Sequence, residues 1–161
     1  MASNRAILPD RGPQVSIPRN FGDLEVVRVD VMNREAEFQV RSADGSIVGP
    51  KFTTRLSMVR PNSEEDTKKF WKLLVDDLFR VLKQDGELPE FVKDYEVSID
   101  EDSTGDPALY VKILIKPARG EADNATVDRW NDFVHLVQDR LIRLRLARLP
   151  YVQLGEWRRK R

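Results

Sequence analysis

Apolar and polar residues alternate early in the chain with the two-residue period of β-strands. The first such run is rich in apolar and β-branched side chains: Leu24, Val26, Val27, Val29 and Val31. In the second run charged or polar residues separate the apolar ones: Ala36, Phe38 and Val40. Asp44-Gly45 then gives a strong hairpin signal, and a third extended stretch follows at Lys51–Val59. The pattern predicts a three-stranded antiparallel meander, with a short further strand at Ile47–Val48.

A helical period replaces the alternation after Pro61. Apolar residues recur there at spacings of three and four, as a broad stripe: Phe70, Trp71, Leu74, Val75, Leu78, Val81 and Leu82. Asn62 is the expected N-cap, and Glu65 lies three residues later as its capping-box partner. Asp85-Gly86 is expected to end the helix, because glycine readily adopts the left-handed conformation that helix ends favour.

The second half of the chain repeats this order of strands and a helix. Two alternating runs, Tyr95–Ile99 and Leu109–Ile115, predict a hairpin whose turn lies at Glu101–Asp106. A second helix begins near Asn124–Thr126, with one apolar face: Val127, Trp130, Val134, Val137, Leu141 and Leu144. Pro150 is expected to end this helix. A final strand is predicted at Tyr151–Trp157.

The predicted order β-β-β-α-β-β-α-β indicates an α+β fold. It has one or more mainly antiparallel sheets with two helices packed on one face. Residues 23–157 are expected to form a single domain, with possible sub-units at 23–60 and 61–157, followed by a basic tail at 158–161. Residues 1–22 contain three prolines that disfavour helix, and this segment is predicted to be a flexible or extended arm.

Composition narrows the class of protein. The chain of 161 residues contains no cysteine and one histidine, which leaves out disulfides, thiol catalysis and cysteine-based zinc sites. No apolar run approaches the ~20 residues of a membrane-spanning helix. The first twenty residues also lack the apolar core of a secretory signal. These features predict a cytoplasmic protein that does not engage a membrane.

Charge is balanced overall but unevenly distributed. The chain has 27 basic and 27 acidic residues. Residues 61–106 hold 14 acidic and 6 basic residues, whereas residues 140–161 hold 8 basic residues and one acidic residue. Opposite poles of this kind favour head-to-tail assembly, or the binding of a polyanion at the basic pole.

The basic pole includes eight candidate binding residues for nucleic acid or an acidic partner: Arg140, Arg143, Arg145, Arg148, Arg158, Arg159, Lys160 and Arg161. Tyr151 and Trp157 lie among them, and arginine with interleaved aromatic residues is typical of nucleic-acid binding. The sequence motifs of the common RNA-binding modules are absent. A solvated tail or a contact with acidic protein therefore stays open as the alternative.

Two further features of the sequence are candidate chemical sites. The acidic turn offers Asp100, Asp102 and Asp106 as ligands for a divalent metal. The alternative is a solvated hairpin turn whose side chains bond its own backbone. His135 is the only imidazole, and it falls on the polar side of the second helix, so a surface position is expected.

These observations favour a non-catalytic protein-interaction or assembly subunit of bacterial or phage type. It would act through the arm, the charge poles and an exposed sheet edge, with a protein partner or a second copy of itself. One alternative is a nucleic-acid-binding module that uses the basic C-terminal region. The other is a carboxylate or divalent-metal-dependent enzyme. No cofactor is expected, since the chain has no glycine-rich phosphate loop.

Overall fold

The computed structural model describes residues 24–42, 44–61, 63–117 and 120–159, with the backbone alone at Ile47 and Val48. Several predicted features lie outside these ranges: the arm at 1–22, the proposed cap Asn62, and the tail residues Lys160 and Arg161.

The first sheet is an antiparallel meander of β1 (Leu24–Asp30), β2 (Glu35–Arg41) and β3 (Ile47–Arg55). The separate strand predicted at Ile47–Val48 is instead the start of β3. A bulge interrupts the pairing within this strand, because Phe38 pairs with Phe52 but Val40 pairs with Val48. Residues 49–51 therefore face a single residue of β2. This segment contains a left-handed glycine and a proline, neither of which favours a regular ladder.

A second bulge sets which side chains of β1 are buried. Val26 pairs with Phe38 and Arg28 pairs with Glu37, so Val27 has no direct partner. The extra residue reverses the alternation, and Val26 and Val29 consequently both point into the core.

The first helix, α1 (Glu64–Gln84), begins one residue later than the predicted cap requires. Its N-cap is Ser63, whose hydroxyl accepts a hydrogen bond from the Asp66 backbone N–H at 3.1 Å. The predicted C-terminal end is confirmed. Gly86 has φ +71°, and the Glu87 N–H donates to the Leu82 carbonyl at 2.8 Å, which is the Schellman arrangement.

The second sheet contains β4 (Val92–Glu101), β5 (Pro107–Ile115) and β6 (Leu149–Glu156) in that order. The strands β4 and β5 form the predicted antiparallel hairpin. The strand β6 pairs in parallel with β5, because α2 (Asn124–Arg143) carries the chain back across the sheet.

The end of α2 differs from the prediction. The helix stops at Arg143, well before Pro150, and Pro150 lies inside β6. The apolar face of α2 is also rotated. Phe133 is buried in place of Val127, whose exposed fraction is 36%.

One continuous core joins both sheets and both helices. The helix α1 packs against β1 and β4, and α2 packs against β6. Side chains of α1 fill its centre: Phe70, Trp71, Leu74, Val75 and Leu82. The predicted α+β class and element order are confirmed. Across the described ranges, neither helix combines the length and apolar character needed to cross a bilayer.

Candidate functional site

A cleft of about 590 Å³ opens where the β1–β2 turn and the end of β3 approach the C-terminal end of α2. Four of its lining side chains are arginines: Arg34, Arg55, Arg143 and Arg145. We call this site the arginine cleft. All four arginines are exposed to solvent, and Glu35 is the one acidic residue among the described residues of the lining.

The four guanidinium groups have no carboxylate partner among the described residues, whereas five of the nine other described arginines have one. Five arginines elsewhere form ion pairs with acidic side chains: Arg28, Arg41, Arg80, Arg140 and Arg158. By contrast, no described carboxylate lies within 4.0 Å of the charged atoms of the arginines that line the cleft. The lining therefore carries four positive charges against the single negative charge of Glu35, which is the cross-strand neighbour of Arg55.

Two of these arginines have an unusual backbone conformation. Arg34 has φ +58° in the β1–β2 turn, and Arg145 has φ +53° just after α2. They are the two non-glycine residues with positive φ among those described. A left-handed conformation costs a residue with a Cβ atom roughly 1–2 kcal/mol. Such strain tends to persist at binding and catalytic sites, and here both strained residues line the same cleft.

Hydrogen bonds fix the backbone at these positions. The Arg34 carbonyl accepts from the Leu56 N–H at 2.9 Å, which ties the β1–β2 turn to the chain after β3. The Arg145 N–H donates to the Ile142 carbonyl at 3.1 Å. The arginine side chains therefore extend from a backbone that is held in place before any ligand binds.

Comparison with known proteins finds no match. Neither a family model nor a curated protein nor a solved structure matches this chain. Only the geometry and the charge of the arginine cleft therefore indicate what it binds.

The predicted basic C-terminal region is divided among several places in the fold. Arg143 and Arg145 line the cleft. Arg140 lies outside it and pairs with Glu87 at 2.7 Å. Arg148, the residue before β6, donates to the backbone carbonyls of Asp100 and Ala108, each at 3.2 Å, so its guanidinium connects the start of β6 to the β4–β5 hairpin.

The remaining described arginines of that region lie after the far end of β6. Arg158 pairs with Glu156 at 3.3 Å, and Arg159 follows it. Eight residues of strand span roughly 26 Å. The two ends of the basic region consequently cannot form one compact patch.

Sequence reasoning missed Arg34 and Arg55. Both belong to the meander, roughly 90 to 110 residues before Arg143 and Arg145 in the sequence. Asn33-Arg34 gave only a turn signal, and Arg55 looked like any charged strand residue. The left-handed conformation of Arg34 and its approach to α2 exist only in the folded chain.

In the acidic turn, the carboxylate of Asp102 accepts hydrogen bonds from other residues of the same turn. Asp102 accepts from the Thr104 hydroxyl at 2.6 Å, and from the backbone N–H groups of Thr104 and Asp106 at 2.9 and 3.0 Å. These bonds, led by that of the Thr104 side chain, lower the pKa of Asp102 to about 2. Among the described residues, no three His, Asp or Glu side chains are grouped to hold a metal ion.

His135 and two acidic residues of α1, Asp76 and Asp77, lie outside the lining of the cleft. His135 is exposed on α2. Asp77 accepts from the Val31 backbone N–H at 2.8 Å and so connects α1 to the end of β1. Asp76 accepts from the Tyr95 hydroxyl, and burial together with this bond raises the pKa of Tyr95.

Proposed function

We propose that this chain is a non-catalytic binding protein whose arginine cleft takes the phosphate groups of a nucleic acid. The observation that carries the proposal is the convergence of four arginines without carboxylate partners among the described residues. The guanidinium group presents parallel N–H donors that match the oxygens of a phosphate. An anion in the cleft would also relieve the repulsion between the four cations.

The chemistry of the cleft favours recognition without sequence specificity. Phosphate contacts fix the position of a nucleic acid but carry no direct information about its bases. None of the described residues that line the cleft is aromatic, so these residues offer no stacking surface for a base. We therefore expect the affinity at this site to depend on salt concentration much more than on sequence.

A second candidate is the interaction or assembly function, with an acidic protein in the cleft. Exposed apolar side chains support it. Met58 lines the cleft and is 39% exposed, and Met32 and Ile142, next in sequence to lining residues, are 67% and 53% exposed. Apolar surface of this kind suits a protein partner more than a phosphate backbone.

Fluorescence anisotropy with short labelled oligonucleotides tests the nucleic-acid proposal. The test variant carries Arg34→Gln and Arg55→Gln, which removes two guanidinium groups from exposed positions. The matched control carries Arg28→Gln and Arg80→Gln, which removes two exposed arginines that already pair with carboxylates.

We expect wild-type binding to weaken steeply between about 50 and 200 mM salt, because neutralised phosphates release their counterions. The cleft variant should lose about one unit of salt slope for each arginine removed. The control should resemble the wild type. Equal affinity and slope in the cleft variant would contradict the proposal. Binding of an acidic polypeptide but of no oligonucleotide would favour the second candidate.

A further inference from the structure

A second cavity, of about 410 Å³, lies at the other end of α2. Its lining combines two aromatic rings, Phe91 and Trp130, with two lysines, Lys93 and Lys116. We call it the aromatic pocket. Glu90, Pro117 and Thr126 complete the lining.

The strand order brings these residues together. The start of β4 lies beside the end of β5, because Val92 pairs with Ile115. The Lys116 N–H donates to the Phe91 carbonyl at 3.2 Å, which holds the two lining segments side by side. Trp130 reaches the same place from the second turn of α2.

Packing fixes the Phe91 ring without burying it. Phe133 contacts it edge-on, with ring centroids 6.2 Å apart, and the Arg129 guanidinium lies 5.5 Å from its centroid. Phe91 and Trp130 are both half-buried, so each keeps part of its apolar surface accessible. Rings held in this way lose little conformational entropy when a flat ligand stacks on them.

The charge beside these rings is mainly positive. Lys93 and Lys116 are exposed, and neither forms an ion pair with an acidic side chain in the part of the chain that the structure describes. Glu90 supplies one carboxylate, which can accept hydrogen bonds from an amino group. The fitting ligand is thus flat and aromatic, carries negative charge at its edge, and has N–H donors to spare.

We propose that the aromatic pocket takes an unpaired base of a single-stranded nucleic acid, with the neighbouring phosphates on Lys93 and Lys116. The inference rests on the proposed function and adds which form of nucleic acid is preferred. Aromatic side chains with basic neighbours bind single strands by stacking, whatever the base. A duplex keeps its bases stacked internally and offers none to the pocket.

The two sites lie along one helix. Thr126 at the aromatic pocket and Arg143 at the arginine cleft are separated by a helical rise of roughly 26 Å. A single strand of several nucleotides can contact both sites, whereas a duplex gains contacts at the arginine cleft alone. The full chain should therefore prefer single strands.

The test compares labelled single-stranded and duplex oligonucleotides with three variants of the full chain. Trp130→Leu removes one of the two aromatic rings of the pocket, and a Lys93→Gln, Lys116→Gln double variant changes only exposed residues. A Lys83→Gln, Lys112→Gln double variant is the control, since both lysines are exposed and lie outside the pocket. Thermal unfolding identifies any variant whose fold is damaged.

Trp130→Leu should weaken single-strand binding roughly 5- to 150-fold, the range for loss of one stacked base. The lysine pair should weaken it with a shallower salt slope, and duplex binding should be unchanged in both variants. Equal losses for the two forms of nucleic acid would overturn the inference. Unchanged single-strand binding in both pocket variants would also overturn it. If the Arg34→Gln, Arg55→Gln variant lost affinity in that case, the proposed function of the arginine cleft would hold without the aromatic pocket. Failure of the wild-type chain to bind either oligonucleotide would overturn both.

Discussion

Arg34 and Arg145 occupy backbone positions that ordinarily belong to glycine or asparagine. The two helices make the comparison direct, because α1 is followed by Gly86 at φ +71° and α2 is followed by Arg145 at φ +53°. Glycine meets this requirement without a steric penalty. Arginine at the same structural position breaks a local rule, and residues that do so are often functional.

Replacing Arg145 with glycine separates its effect on stability from its effect on binding. Arg145→Gly should leave the fold as stable as the wild type or up to about 1 kcal/mol more stable, since relief of strain outweighs the added freedom of the unfolded chain. The same variant should bind oligonucleotides more weakly. Urea unfolding and anisotropy measure the two effects.

Arg145→Lys is the matched control for this substitution, because it keeps the charge and the strained backbone. It should show little gain in stability and an intermediate loss of binding, as an ammonium group cannot make the paired contacts of a guanidinium. A glycine variant that bound as tightly as the wild type would remove Arg145 from the site.

The outer edge of β6 is partly closed by a side chain of α2. Gln138 donates its amide N–H to the Pro150 carbonyl and accepts from the Val152 N–H at 2.9 Å. It thereby takes the place of a neighbouring strand at two backbone groups. Unpaired strand edges invite aggregation, and native proteins commonly block them. An assembly through this edge, as the sequence hypothesis envisages, would have to displace Gln138 there.

Removing this amide should expose the edge. Gln138→Ala is expected to lower the free energy of unfolding by about 1–2 kcal/mol, because a part-buried N–H and carbonyl lose their partner. It should also increase self-association, measured by size-exclusion chromatography and light scattering. Gln153→Ala, at an exposed position on the same strand, is the control and should change neither property. Equal effects from the two substitutions would argue against a blocking role.

Among strands and helices, the features that the sequence predicts correctly are those that a few adjacent residues determine. The Asp44-Gly45 hairpin and the Gly86 helix end are set by a few adjacent residues, and both were predicted. The parallel pairing of β5 with β6 was not, because it joins Tyr110 to Tyr151 across a whole helix. The bulge at Val27 was also not predicted. The apolar residues Leu24, Val26, Val29 and Val31 follow one two-residue period only if Val27 is treated as an extra residue.

At the scale of the whole molecule, the sequence predicts the acidic and basic segments but not the arginine cleft. The acidic and basic segments follow from counting residues. The arginine cleft requires the meander and the end of α2 to meet, which brings Arg34 and Arg55 beside Arg143 and Arg145. Conversely, folding occupies Arg140 and Arg148 in contacts within the chain. Position in three dimensions thus selects which basic residues remain available to a ligand.

Four neighbouring cations without described carboxylate partners couple ligand binding to the stability of the whole chain. A ligand that binds only the folded state at a hundred times its Kd adds about 2.7 kcal/mol to the free energy of unfolding. For a chain of this size, that gain raises Tm by roughly 5–11 °C. We expect a short single-stranded oligonucleotide to produce this shift in thermal unfolding at low salt.

In the Arg34→Gln, Arg55→Gln variant the shift in Tm should be much smaller. The Tm of this variant without ligand should stay close to that of the wild type, because exposed substitutions usually change stability by no more than about 0.5 kcal/mol. Sodium chloride at matched ionic strength controls for general screening. An equal shift in wild type and variant would place the stabilising contact outside the arginine cleft.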